Sequence, residues 1–215
     1  MPKFNRWSIL KPVVFLACLG PLAWLTYAAL TGQLSANPIK DITEFTGIWT
    51  LRFFMITLSV TPLRRMTGWN SVVRIRRMFG LFTFFHGFLH LMTYVWLDQF
   101  FMFSEIVKDI MKRPFITAGM TAFTLMLPLA VTSTKKWIGR LGGKRWQLLH
   151  RLVYFGATAG VVHYYWFEKS DIQRPVGYGA LLAVLLLFRA WHAVRNRERG
   201  LKPAAADLPK HASQI

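Results

Sequence analysis

The sequence holds a single cysteine and only 9 acidic residues among 215. A lone Cys18 has no partner within the chain, which excludes an internal disulfide and any iron–sulfur or zinc centre built from cysteines of one copy. Glycine-rich phosphate cradles are missing as well: no G-x-G-x-x-G and no Walker loop occur. With only about twenty residues after the last apolar run, the chain is not expected to oxidise NAD(P)H by itself. Neither a Ser-His-Asp set nor an H-E-x-x-H motif is visible, so hydrolysis has no apparatus here.

What is present is apolar and basic. Hydrophobic residues make up 53% of the chain, aromatics 15% and charged residues only 17%, with positive mean hydropathy. That is too apolar for an ordinary soluble domain of this length. The formal charge of +18 would point to nucleic acid in a soluble protein. Here the basic residues alternate with apolar runs, the pattern that membrane topology requires, so lipid and not nucleic acid is the expected surroundings.

Six apolar stretches, at about 12–30, 45–62, 78–97, 115–132, 147–167 and 175–194, come close to the ~20 residues needed to cross ~30 Å of hydrocarbon. The expected fold is all-α, a bundle of six transmembrane helices over 12–194. It is flanked by a cytoplasmic N-terminus at 1–11 and a basic, disordered cytoplasmic tail at 195–215. The links carry proline, glycine or charge, as in NPIKDITE and STKKWIGRLGGKR. Placing both termini in the cytoplasm puts most basic residues on that side, including Lys3, Arg6, Lys11, Arg64, Arg65, Arg74, Arg76, Arg77 and the basic fourth link. Asp41, Glu44, Asp98, Glu105, Asp109, Glu168 and Asp171 then fall outside, with Glu198 and Asp207 inside. The first run is too long for a secretory h-region and lacks a small-x-small cleavage site, so it is read as a span. Residues 103–111 are apolar enough to dip into the outer interface without crossing.

Four histidines, His86, His90, His150 and His163, lie in or at the edge of apolar segments, where a polar ring needs a partner because lipid supplies none. Imidazole is a good axial ligand for haem iron. His90 falls about seven residues, or ~10 Å, from the outer end of the third run, and His163 about four residues, or ~6 Å, from that of the fifth. Their levels agree within one turn, which makes them the expected axial pair of a haem near the outer face. Two interhelical hydrogen bonds are the plainer alternative. His150 lies ~20 Å nearer the cytoplasm, a level suited to a second haem. However, thirteen residues of ideal helix rotate its ring away from that of His163, and the third run offers only Arg76 and Arg77 at that depth. His192 is at a suitable level but is a weaker partner. His86, one turn before His90, either lines the pocket or ligates.

Arg52 sits inside the second run, where a guanidinium either snorkels to the outer interface or meets a haem propionate or quinone. Arg77 and Arg151, with Arg76 and Arg145, are candidates for propionates of a second haem or a flavin phosphate, although topology accounts for them equally well.

Several strings carry a family resemblance: TPLRR at 61–65, RRMFG at 76–80 leading to FLHLMTY at 88–94, and TST at 132–134. KRWQLLHRLVY at 144–154, VHYYW at 162–166 and NPIKDITEFTG at 37–47 add to them. Together they resemble the MsrQ family, haem-binding membrane subunits of periplasmic methionine sulfoxide reductase systems, within the ferric-reductase-like transmembrane superfamily. The resemblance implies a multi-pass protein of the bacterial inner membrane that is a non-catalytic electron-transfer subunit. It further implies haem b, one or two, with FMN also associated, and electrons drawn from the quinone pool. These would pass to a periplasmic molybdopterin partner of the MsrP type, which repairs oxidised envelope proteins. The family's three histidines carry over onto His90, His150 and His163, and not onto His86. Oxidase relatives with two haems use four histidines, and this chain lacks the inner one on the third run. The competing class is a small proton-coupled transporter or channel using the buried His and Arg residues; a purely structural anchor is a further alternative.

The charge pattern generates a direct expectation. A C-terminal fusion to alkaline phosphatase should be inactive and one to green fluorescent protein should fluoresce, whereas phosphatase fused after Glu168 should be active.

Overall fold

A computed structural model describes residues 6–201, and every described regular element in it is helical. The order is α1 (Arg6–Leu30), α2 (Pro38–Thr67), a 3₁₀ turn at Asn70–Val72, α3 (Val73–Met92) and a π-helical turn at Thr93–Asp98. There follow α4 (Phe103–Lys112), α5 (Pro114–Val131), α6 (Lys135–Leu141), α7 (Gly143–Leu149), α8 (Leu152–Phe167) and α9 (Gln173–Leu201). Helix α1 begins before residue 12 and α9 continues past 194 to Leu201, so the first part of the expected tail is helical. The rest of that tail, 202–215, lies outside the described residues, as do residues 1–5.

Local chemistry sets the boundaries. The Asn37 side chain accepts from the Lys40 N–H at 3.2 Å, and Pro38 supplies a pre-set φ in the first turn of α2. The same helix stops at Gly68, whose φ of 70° lets its N–H close on Arg64 O at 3.0 Å. Pro114 opens α5, Thr134 caps α6 through the Trp137 N–H, and Gly142 at φ 74° separates α6 from α7. Hydroxyls along the spans bond back to the carbonyl four residues earlier, as do Thr46, Thr50, Ser59 and Thr83. In this way they bring polar atoms into an apolar setting with their hydrogen bonds made.

Four helical stretches are long and apolar enough to cross a membrane: Ile9–Leu30, Asn70–Asp98, Pro114–Val131 and Gln173–Asn196. Helix α2 is longer still but mixes Arg52 with several threonines, and α8 has 16 residues, short of the ~20 of a full span. The expected fifth run is interrupted: α7 ends at Leu149, and His150 and Arg151 form a turn before α8 starts. Helix α4 lies where the interfacial segment was expected. It is preceded by Phe100 and Phe101, both in the left-handed region at φ 47° and 60°, and it exposes Phe103, Val107 and Met111.

The tightest pairings are α2 with α3 and α5 with α8, and α9 packs on α8 and α2. The main core joins Leu51, Phe54, Met55 and Leu58 of α2 to Met126, Ala157, Leu182 and Leu185. A second, largely aromatic cluster of Cys18, Phe53 and Phe82 fastens α1 to α2 and α3. Leu58 is fully buried, so Leu58→Ala should cost ~2–5 kcal/mol through the cavity it leaves. A fall in the thermal midpoint of the detergent-solubilised protein with no change in helical content would register it.

Candidate functional site

His90 on α3 and His163 on α8 face each other across the bundle, with ring centroids 5.9 Å apart and planes at 72°. Each ring is held from behind by a different helix. The Nδ1 of His90 lies 2.9 Å from Thr43 O on α2, and that of His163 lies 2.7 Å from Phe115 O on α5. A carbonyl oxygen only accepts, so both Nδ1 atoms carry the proton and both Nε2 atoms keep a free lone pair. This is the tautomer a metal-binding imidazole needs, fixed by the partner that usually fixes it.

The rings also rest on glycines. A Cβ at Gly47 would meet His90 Cε1 at 3.0 Å, and one at Gly119 would meet His163 Nδ1 at 2.8 Å. Each supporting helix therefore uses the same device twice over: a carbonyl, at Thr43 or Phe115, and one turn later a glycine, at Gly47 or Gly119. Each histidine in turn follows a glycine by three residues, Gly87 and Gly160. A Cβ at Gly87 would come within 2.8 Å of Met126 Cε on α5. Reading the sequence for histidines alone misses Gly47 and Gly119. The repeated G-x-x-H, at 87–90 and 160–163, is the signal that marks the two halves as equivalent.

The pair fits haem. Two imidazoles bonded to one iron at ~2 Å each place their ring centroids ~6 Å apart, close to the separation seen. Among the described residues no group of three or more His, Cys, Asp or Glu gathers to hold a metal. Two nitrogen donors alone suit an iron whose other four ligands come from a macrocycle.

The other expected residues fall elsewhere. His86 is 1% exposed and enclosed by Phe53, Phe82 and Phe85, with centroids 4.9–6.3 Å away. Its Nδ1 turns back to Phe82 O on its own helix, and its Nε2 has no hydrogen-bond partner. It belongs to the aromatic cluster beside α1 and does not join the His90–His163 pair. His150 stacks on Trp146 at 3.8 Å and bonds Trp146 O, leaving a buried Nε2 without a partner. Because the chain turns at His150 before α8 begins, the rotation expected of an unbroken helix between His150 and His163 does not apply. His192 packs edge-on against Phe188 and Trp191.

Arg52 is exposed; its Nε lies 3.3 Å from Tyr178 Oη on α9 and its guanidinium lies 4.7 Å over the Trp49 ring. Arg77 and Arg151 are exposed, and Arg151 lines a shallow groove with Arg145 and Phe155. Two other arginines are half-buried: Arg189 on α9, which donates to Tyr154 Oη at 2.7 Å and to Leu58 O at 2.6 Å, and Arg76 on α3.

Comparison with known proteins agrees with this geometry. Residues 46–161 match the family described as ferric reductase like transmembrane component, a stretch that contains His90 and His150 and ends just before His163. A protein of Herminiimonas arsenicoxydans named protein-methionine-sulfoxide reductase heme-binding subunit MsrQ is 50% identical over 200 residues, 92% of either chain. Proteins of the same name from Azospira oryzae and Polaromonas naphthalenivorans are 49% and 47% identical. These alignments cover 90% and 92% of this chain and 84% and 92% of the relatives. With several apolar helices and relatives matched along nearly its whole length, this multi-pass membrane chain belongs to the MsrQ family, within the ferric-reductase-like transmembrane proteins.

Proposed function

We propose that this chain is a haem-binding electron-transfer subunit of a protein-methionine-sulfoxide reductase system, with His90 and His163 as the axial ligands of a b-type haem. The observation that carries the reading is the facing pair itself, with both Nδ1–H groups fixed on backbone carbonyls and both Nε2 atoms left free. Haem would supply a one-electron carrier within the hydrocarbon layer. The chain's own part is to hold two neutral imidazoles at a set spacing, raise their basicity through the Nδ1 hydrogen bonds, and keep water away with apolar helix faces. Gly47 and Gly119 let α2 and α5 approach the rings closely enough for those bonds to form.

In this reading α1, α2, α3, α5, α8 and α9 make six spans, with both termini in the cytoplasm and the chain in the bacterial inner membrane. Residues 12–194 form the haem-binding domain. The His90–His163 pair then sits toward the periplasmic side, near α4. The chain takes electrons from membrane quinol and passes them to a periplasmic molybdopterin reductase of the MsrP type that repairs oxidised envelope proteins. The names of the relatives support the haem and the methionine sulfoxide system; the quinol donor and the MsrP-type partner follow from the resemblance. His150, with its free buried Nε2, is the candidate ligand of a second haem or of bound FMN, and His86, Arg52, Arg77 and Arg151 are lesser cofactor contacts.

Three substitutions test the pair. His90→Ala and His163→Ala should each remove the Soret and α-band spectrum of a bis-histidine haem and stop electron delivery, whereas His192→Ala should leave both intact. Full haem content and activity in His163→Ala would refute the assignment. Gly119→Val should lower haem occupancy ~10-fold or more, in the range of lost outer-shell support, because its side chain occupies the space of the His163 ring. Gly47→Ala should have a smaller effect, since its nearest contact is longer. Pyridine haemochrome assay per mole of chain measures all of these.

A further inference from the structure

Of the 9 methionines, all but Met1 fall within the described residues. Met55 and Met126 are buried in the main core, and Met78, Met92 and Met120 are half-buried. Three are exposed: Met66 at 76%, near the end of α2, and Met102 and Met111 at 51% and 74%, at the two ends of α4. Thioether sulfur is a soft nucleophile, and its oxidation to sulfoxide follows how openly it is presented.

The backbone presents both α4 sulfurs. Met102, at φ −75° and ψ 82°, is not helical; it follows the left-handed pair Phe100 and Phe101 and stands outside the first turn of α4. Met111 lies in the last turn, just before Arg113 leaves the helix in extended backbone. Around an ideal helix it falls about 40° from Val107 and about 20° from Ser104, at the margin where the apolar stripe meets the polar side. A different face packs on the bundle, carried by the buried Ile106 and the half-buried Ile110. Asp109 holds the helix in place, accepting from Tyr94 Oη at 3.0 Å and lying 3.3 Å from Arg113 Nε. Neither sulfur is needed for that hold. The two thioethers thus flank a short, externally placed helix in the segment that joins α3, which carries His90, to α5, whose Phe115 O holds His163.

Taking α4 as periplasmic and the chain as part of a methionine sulfoxide reductase system, both proposed above, we infer that Met102 and Met111 are oxidation sites and are themselves substrates of that system. A hypohalous acid or a peroxide transfers one oxygen atom to the sulfur, which gives up two electrons as halide or water leaves. Repair reverses this: two electrons and two protons restore the thioether and release the oxygen as water. Two one-electron passages through the chain supply one such repair. The sulfoxide is polar and chiral where the thioether was flexible and apolar, so oxidation at Met111 extends the polar side of α4 toward Val107. The subunit is then both donor to the reductase and one of its targets. Met66 is as open as Met111 but ends α2 on the cytoplasmic side of the same topology, out of reach of a periplasmic enzyme in the cell.

The test uses the full chain purified in mild detergent. It is treated with hypochlorous acid at less than one equivalent per methionine, quenched with free methionine and read by peptide mass spectrometry. Met102 and Met111 should each gain one oxygen before any appears at Met55 or Met126. The oxidised chain is then mixed with a purified periplasmic protein-methionine-sulfoxide reductase kept reduced by dithionite, so that repair does not depend on haem in this chain. The oxygen on Met102 and Met111 should be lost, and retained in a sample without the enzyme. Oxidation of Met55 and Met126 in step with Met102 and Met111 would overturn the assignment of oxidation sites. Sulfoxides that persist at Met102 and Met111 while oxidised casein is reduced in the same tube would overturn their role as substrates. Failure of the proposed topology reads out differently: taurine chloramine, which crosses membranes poorly, would then oxidise Met66 in intact cells and spare Met102 and Met111. Failure of the His90–His163 assignment shows only in the spectra of the histidine variants.

Discussion

Two hydrogen bonds that cross between helices, from His90 to Thr43 O and from His163 to Phe115 O, are the constraint around which the rest of the bundle is organised. An imidazole in an apolar layer must find an acceptor. Here each finds one on a neighbouring helix and not on its own. That choice sets the tautomer, the ring direction and the separation of the rings at once. It also ties α3 to α2 and α8 to α5, the two most extensively packed helix pairs among the described elements. The glycines at 47 and 119 are the complement of these bonds, because any side chain there would meet the ring.

His86 and His150 show what the alternative looks like. Both satisfy Nδ1 on a carbonyl one turn back in their own segment, a local bond that fixes the tautomer but links no helices. All four rings therefore present the same protonation pattern, and tautomer alone does not single out a ligand. The difference is position: only His90 and His163 are drawn to face one another. Placing His86 among three phenylalanines also explains how one face of α3 serves two purposes. One turn of α3 carries the histidine of the pair and the preceding turn fills the aromatic cluster against α1.

Charge is distributed on the same principle of partners. Just after α8, Glu168 accepts from the Ser170 hydroxyl and from the backbone N–H groups of Ser170 and Asp171, which holds its carboxyl below the usual range. Arg76 and Arg189 are half-buried, and none of the ion pairs between described residues involves them.

The helical class, the apolar membrane character and the matching levels of His90 and His163 were legible in the sequence, because length, hydropathy and rise per residue depend only on residues near one another in the chain. The family was legible from its separated strings. What could not be read was anything set by contact between helices: the carbonyls of Thr43 and Phe115, the glycines that make room for the rings, and the partial burial of Arg189 where Arg77 and Arg151 are exposed. The turn at His150 was missed for a related reason, since apolar composition continues unbroken across it. Sequence by itself determined that polar rings would lie at matching levels in an apolar layer. Only the tertiary structure decided which rings face each other and which arginines turn inward, because those directions follow from packing between segments far apart in the chain.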